Sequence, residues 1–186
     1  GTLFVRNLAM VADLGWDLHF FPCKETNLHP GFRNVTVHDD WWIRPEGLHP
    51  SVRLARGVPL CLGRHEDLAN RALRRLREVA PVVGQPDRAA RLAAVIRRVR
   101  PDLVHGYELL MAGELIRSAR AAIGAGFPPW IMSTWGSDLN LYGQHPDHAH
   151  RVRAVLEACD YVRPEANRDL GQAAALGFRG EWLIPR

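Results

Sequence analysis

The sequence predicts an α/β fold built on a parallel sheet, and three observations support this class. Short apolar runs rich in β-branched and aromatic residues alternate with longer stretches of helical period. The apolar runs are continuous, as expected for strands that are covered on both faces. The strand–helix alternation is typical of a Rossmann-like parallel sheet with helices on both faces. With 186 residues and 47% hydrophobic content, the chain is expected to form a single domain, 1–186.

The predicted elements alternate along most of the chain. The predicted strands are Asp17–Phe21, Asn34–His38, Leu103–His105, Trp130–Thr134, Tyr161–Arg163 and Trp182–Ile184. The predicted helices are Leu3–Leu14, Asp67–Val79, Asp87–Val99, Gly113–Ile123, Pro146–Ala158 and Arg168–Leu176. Gly177 is the expected C-cap of the last helix. The stretch Trp41–Arg64 has little periodicity and is expected to be a long loop, in which Trp41 and Trp42 either line a groove or cover the core.

Composition and charge indicate which partners and which cellular location are expected for this protein. The formal net charge is +4, and all basic residues except Lys24 are arginine. This excess favours anionic partners such as nucleotide or lipid phosphates, an anionic membrane surface or nucleic acid. No recognised nucleic-acid-binding module is visible, so nucleic acid is not an expected partner. The three cysteines lack the spacing of metal or redox sites. No apolar run is long enough to span a membrane, and no signal peptide is seen. Together these features predict a cytoplasmic protein.

Candidate site residues follow the predicted strands, because ligands of open parallel sheets bind beyond the carboxyl ends of the strands. Trp135 offers a flat apolar face on which a ring of a ligand can stack, and Gly136 permits close approach of the backbone. Ser137 and Asp138 offer oxygen atoms to a ligand hydroxyl. The alternative is that Asp138 only caps a turn and that Trp135 only belongs to the core.

Two neighbouring segments supply further candidates. His105 and Glu108 end the preceding strand, where the histidine either binds a ligand hydroxyl or is a satisfied, partly buried side chain. Glu165 follows the next strand. His145, His148 and His150 form a sequence cluster, but His148 and His150 would point about 200° apart on a helix, so no metal site is expected.

The arginine-rich faces of Asp67–Val79 and Asp87–Arg100 leave two interpretations open. They are suited to peripheral docking on an anionic membrane, at the inner face of the cell membrane. They are also what an ordinary solvated helix face looks like.

Five segments in order carry a resemblance to a known family. They are Gly15–His19 (GWDLH), Ile96–His105 (IRRVRPDLVH), Trp130–Leu139 (WIMSTWGSDL), Ala158–Val162 (ACDYV) and Ala174–Gly177 with Trp182–Pro185 (AALG and WLIP). The order and spacing resemble the N-terminal, acceptor-side domain of bacterial-type family-4 glycosyltransferases of the GT-B fold. Trp135 stands where that family usually has a histidine.

The resemblance implies a function. The full enzyme would transfer a sugar, as a hexosyltransferase does, from a nucleotide-sugar donor to a glycan, lipid or small-molecule acceptor with retention and without a cofactor or metal. It also implies that the first strand and the C-terminal donor-binding domain lie outside this sequence, so the isolated chain is expected to be inactive. A sugar-nucleotide epimerase of the same architecture and a non-catalytic Rossmann-like binding module are the alternatives.

Overall fold

The computed structural model describes residues 7–8, 10–23, 26–27, 34–38, 43–44 and 87–184. The chain divides into two compact units, Gly1–Asp87 and Arg88–Arg186. The predicted helix Asp67–Val79, the tryptophans at 41 and 42 and most of the predicted long loop lie outside the described residues. The single-domain organisation stays a prediction.

Among the described residues of the first unit are four short strands, paired in parallel. Strand β1 (Leu18–Phe20) pairs with β3 (Val35–Val37), and β2 (Thr26–Asn27) pairs with β4 (Ile43–Arg44). Residues 7–8 and 10–11 are helical, within the predicted first helix. The two strands predicted in this unit are therefore confirmed with slightly shorter bounds, whereas β2 and β4 were not predicted.

The second unit contains a four-stranded parallel sheet in chain order. Its strands are β5 (Val104–Tyr107), β6 (Trp130–Ser133), β7 (Tyr161–Arg163) and β8 (Glu181–Trp182). The pairing aligns the last residues of the first three strands in one row across the sheet: Tyr107, Ser133 and Arg163. Polar side chains therefore mark the carboxyl edge of this sheet.

Four helices accompany these strands: α1 (Arg88–Val99), α2 (Glu114–Ile123), α3 (Pro146–Ala158) and α4 (Asn167–Ala175). Each of α2, α3 and α4 connects two neighbouring parallel strands, and such crossovers are right-handed, which places the three helices on one face of the sheet. Trp130 and Met132 of β6 are fully buried, together with Val155 and Leu156 of α3. The predicted fold class is confirmed: the protein is α/β, with parallel sheets flanked by helices.

Two π-helical turns follow the first two strands of this sheet, at Leu109–Gly113 and Asp138–Tyr142. The sequence did not predict them. The helix predicted from Gly113 begins at Glu114, directly after the first π-turn. The helix predicted over Arg168–Leu176 spans Asn167–Ala175, and the last strand spans Glu181–Trp182 rather than the predicted Trp182–Ile184. π-Helical turns are often found at functional sites, and both of these turns lie at the carboxyl edge of the sheet.

An ion pair holds the opposite, amino edge of the sheet. The Arg120 guanidinium donates to both carboxylate oxygens of Asp160, at 3.0 Å each. Asp160 also accepts from the Trp130 N–H at 2.8 Å, and Arg120 donates to the Ala158 carbonyl. These bonds connect α2 with the starts of β6 and β7 and so fix the frame from which the carboxyl-edge loops extend.

Candidate functional site

The loops after β5, β6 and β7 meet at the carboxyl edge of the sheet. The Asp138 carboxylate, after β6, accepts from the Leu109 N–H, after β5. The Glu165 carboxylate, after β7, accepts from the Gly136 N–H, after β6. The structure thus brings the predicted site segments together at the edge where parallel sheets bind their ligands.

Asp138 lies inside the protein, with 0% of its surface exposed. Its Oδ2 atom accepts from the N–H groups of Trp135 at 2.9 Å and Leu109 at 3.2 Å. The pKa of this carboxyl is raised to about 6, mainly by burial and also by the nearby charges of Glu108 and Glu165, while the two backbone hydrogen bonds oppose the shift. Asp138 therefore holds two loops through their backbone and presents no exposed atom to a ligand.

Glu108 closes the N-terminus of the helical segment that follows β5. Its carboxylate accepts from the N–H groups of Leu110 at 2.8 Å and Met111 at 2.9 and 3.1 Å. These donors lack intrahelical partners, and a carboxylate satisfies them well. The backbone of Glu108 has a φ of +80°, a conformation that costs free energy in a residue with a side chain. This strain lies at the predicted site.

Gly136 is the residue at which the loop after β6 meets the start of α4. A Cβ atom at this position would lie 3.2 Å from the Glu165 carboxylate and 3.2 Å from the Arg168 guanidinium. The missing side chain therefore allows both charged groups to approach the loop backbone closely.

His105 lies on β5, stacked on Tyr107 with ring centroids 4.3 Å apart. Its Nε2 atom is hydrogen-bonded to Ser133 Oγ at 2.8 Å. Part of the side chain is exposed, but the surrounding protein and, secondly, the charge of Arg163 lower the pKa of His105 to about 4. The imidazole is consequently neutral at neutral pH. Burial also raises the pKa of Tyr107, so its hydroxyl stays protonated.

Two of the predicted site residues have side chains that are accessible to a ligand and that form no hydrogen bond within the described part of the chain. Trp135 is half-buried, and Ser137 is exposed. An aromatic face and a hydroxyl are neutral groups that suit stacking on, and hydrogen bonding to, a sugar. Substrate binding by these residues, and by Gly136, Asp138, His105, Glu108 and Glu165, stays a prediction.

The histidines at 145 and 148 have structural roles next to this edge. His145 is the N-cap of α3 and accepts from the Asp147 N–H at 3.3 Å. His148 lies edge-on to the Tyr142 ring, with centroids 5.5 Å apart. Within the described ranges, no group of three or more His, Cys, Asp or Glu side chains is placed to hold a metal ion.

Sequence reasoning missed three residues that support the site: Asn140, Asp169 and Gln172. Asp169 is fully buried, and its carboxylate accepts from the N–H groups of Glu165 at 3.1 Å and Ala166 at 3.0 Å. An acidic residue in the first turn of a predicted helix is a known capping signal, which could have indicated this role. Asn140 and Gln172 carry no comparable signal in the sequence.

A comparison with protein families agrees with this geometry. The family model described as glycosyl transferase 4-like matches residues 81–162. Over these residues the chain is similar to glycosyltransferase 4-like domains. The match includes β5, β6, both π-turns and the candidate residues from His105 to Asp138, whereas Glu165 and Asp169 lie beyond it. A search of curated proteins found no match to the chain.

The resemblance stated from the sequence motifs is therefore confirmed over residues 81–162, and the description of the matched family supports glycosyl transfer in general. Among the described residues, no helix is both long and apolar enough to cross a membrane.

Proposed function

We propose that this chain forms the acceptor-binding half of a retaining glycosyltransferase that uses a nucleotide-sugar donor. The observation that supports this proposal is that the backbone N–H groups at the carboxyl edge are already hydrogen-bonded within the protein. The N–H groups of Leu109, Leu110, Met111, Trp135 and Gly136 all donate to protein carboxylates. Free amides at such an edge would suit phosphate. Amides already bound by carboxylates do not, and the carboxylates Glu108 and Glu165 would repel a diphosphate.

The groups that remain are suited to a hydroxyl-bearing acceptor. The Trp135 ring can stack on a sugar, and the Ser137 hydroxyl can donate or accept. The neutral His105 ring has one nitrogen engaged with Ser133 and a second nitrogen that can bind a hydroxyl. In this proposal the charge on the leaving diphosphate is stabilised outside these three loops, and no resident cofactor or metal takes part.

The partners follow from the same proposal. They are a nucleotide sugar, a donor-binding domain and a glycan, lipid or small-molecule acceptor. We further propose a cytoplasmic protein that contacts an anionic membrane surface peripherally through its arginines.

The proposal is tested on the native protein that carries this chain, with a panel of uridine and guanosine diphosphate sugars and candidate glycoside and lipid acceptors. We expect acceptor-dependent release of nucleoside diphosphate and a product with the donor's anomeric configuration, measured by NMR. Trp135→Ala should lower kcat/KM about ten-fold, because a stacking contact is worth about 1.4 kcal/mol.

His148→Ala is the matched control and should stay within about two-fold, because its ring contacts Tyr142 rather than the exposed groups of the edge. An inverted product would contradict retention. Interconversion of the donor sugar without transfer would indicate an epimerase, and failure of the folded protein to bind any donor or acceptor would indicate a non-catalytic module.

A further inference from the structure

Helix α4 contacts the loop after β6 at both polar groups of a single residue, Gly136. The Gly136 N–H donates to the carboxylate of Glu165, which lies just before the N-cap residue of α4. The Gly136 carbonyl accepts from Asn140 Nδ2 at 2.8 Å, and Asn140 Oδ1 accepts from Gln172 Nε2 at 2.7 Å. The start of α4 and its second turn therefore control the N–H and the carbonyl of this residue.

Asp169 fixes the direction from which Glu165 approaches. Its fully buried carboxylate accepts from the backbone N–H groups of Glu165 and Ala166. Ala166 occupies the N-cap position and has no side-chain acceptor, so Asp169 is the side chain that organises this helix start. A buried carboxylate is costly unless hydrogen-bonded, which favours a defined geometry over a loose one.

Asp169 and Gln172 are three residues apart on α4 and thus lie on the same side of the helix. Together with Glu165 and Asn140 they form what we call the Gly136 clamp. Asp138 fixes Trp135, the residue before Gly136, in a similar way. Its carboxylate accepts from the Trp135 N–H, and its own N–H donates to the Trp135 carbonyl at 2.8 Å. The peptide groups of the loop are thus held from two sides, while the side chains of Trp135 and Ser137 remain uncommitted.

We propose that Asp169 and Gln172 are positioning residues of this site, which set the Trp135–Ser137 segment for substrate through the Gly136 clamp. Neither residue has to contact substrate in this role. Asp169 acts through Glu165, and Gln172 acts through Asn140. The consequence for transfer rests on the proposed function, whereas the clamp itself does not.

The clamp is tested first by NMR on the chain, without any ligand. In Glu165→Ala the Gly136 amide should exchange with solvent at least about ten-fold faster and change its chemical shift, because its acceptor is lost. Glu165→Gln should restore most of the protection, since the Gln carbonyl oxygen also accepts. Gln172→Ala should shift the Gly136 and Ser137 amides through Asn140. Glu181→Ala and Gln144→Ala are matched exposed controls and should leave these amides unchanged.

The positioning role is tested by kinetics of the native protein with whichever nucleotide sugar supports turnover. Gln172→Ala and Asp169→Ala should each lower kcat/KM about five- to ten-fold, and Asp169→Asn should recover activity because its oxygen still accepts both N–H groups. If Asp169→Ala does not fold, Gln172→Ala still tests the positioning role. The Gln172 amide donates to Asn140 through Nε2, and its Oε1 atom is buried, so loss of activity would not come from a lost contact with a ligand.

Two results would overturn the proposal. One is a Gly136 amide that exchanges equally fast in the wild type and in Glu165→Ala, which would mean that no clamp exists. The other is an unchanged kcat/KM in Gln172→Ala and Asp169→Ala despite altered Gly136 and Ser137 amides. A protein without transfer activity on any donor would contradict the proposed function instead, and the NMR comparison would still decide whether the clamp exists.

Discussion

Asp138 connects two loops from a position without exposed surface, and its ionisation is unfavourable there. The carboxylate gains two backbone hydrogen bonds through Oδ2, while the buried Oδ1 has no hydrogen-bond partner in the described part of the chain. Loss of hydration therefore outweighs the two bonds, and the pKa of Asp138 is raised from 3.8 to about 6. This residue should give the protein a measurable dependence of stability on pH.

The sign follows from the direction of the shift. Because the folded protein holds this proton more tightly than the unfolded chain, the contribution to stability is present below about pH 4 and is lost as pH rises through about 6. Asp138→Asn cannot ionise, so the difference in unfolding free energy between wild type and variant should fall by about 3 kcal/mol across this range. Urea denaturation at several pH values measures it, and parallel curves for the two proteins would contradict it.

His105 has the opposite behaviour on the neighbouring strand. Its pKa is lowered to about 4, so it stays neutral over the range in which Asp138 ionises. Its contribution to stability is present above about pH 6.5 and is lost as pH falls towards 4. Two titrating residues near one sheet edge thus shift in opposite directions because one is an acid and the other a base, although desolvation by the surrounding protein is the main cause in both.

At the scale of elements, the helical segment that follows β5 packs closely on α3 because Gly113 has no side chain. A Cβ atom at Gly113 would lie 2.6 Å from Val155 Cγ1. Gly171, within α4, has no atom within 4 Å of the corresponding position. The two glycines therefore differ in their surroundings, and the same substitution should have opposite effects.

We expect Gly113→Ala to lower the unfolding free energy by about 1–3 kcal/mol through overpacking. Gly171→Ala should raise it by about 0.5–1 kcal/mol, because alanine reduces the entropy of the unfolded chain and favours the helix. Thermal and urea unfolding check both. Adding Val155→Ala to Gly113→Ala should cost less than the two single changes together, since the second change removes the clash. Additive effects would mean that the two residues do not contact each other.

The elements that the sequence predicted correctly are those with a strong period and an apolar core-facing side. Strand β6 was predicted within one residue because Trp130 and Met132 belong to a continuous buried run. The π-turn at Leu109–Gly113 was missed because it depends on a partner far along the chain: its first N–H, from Leu109, donates to the Asp138 carboxylate. Strands β2 and β4 span two residues each, too short to show any period.

At the scale of the whole molecule, the sequence predicted which loops meet but not what each side chain does there. The rule that parallel strands present ligands at their carboxyl edge was enough to select His105, Trp135 and Glu165. It could not show that Glu165 is engaged with Gly136 or that Asp138 faces inward, because both facts depend on how separate loops fold onto each other. Distant partners such as Gln172 follow from three-dimensional packing alone.

At this scale the molecule carries an excess of positive charge, part of which lies at the end of α1. The net charge is +4, and the end of α1 presents the exposed arginines Arg97, Arg98 and Arg100. Arg97 donates to the Ala122 carbonyl at 2.6 Å, which fixes its side chain against the last turn of α2. A basic surface near an anionic bilayer gains about 1 kcal/mol for each arginine that reaches it.

Peripheral membrane contact therefore predicts a specific result in a vesicle sedimentation assay. The protein should bind vesicles that contain phosphatidylglycerol and not vesicles of phosphatidylcholine alone, and binding should weaken as salt rises. Arg98→Glu with Arg100→Glu should weaken binding at least about ten-fold, because two attractive charges become repulsive. Arg153→Glu with Arg179→Glu makes the same change in net charge on α3 and on the loop before β8. Equal losses in both double variants would show that net charge alone drives the binding, and equal sedimentation with both lipids would contradict an electrostatic contact through α1.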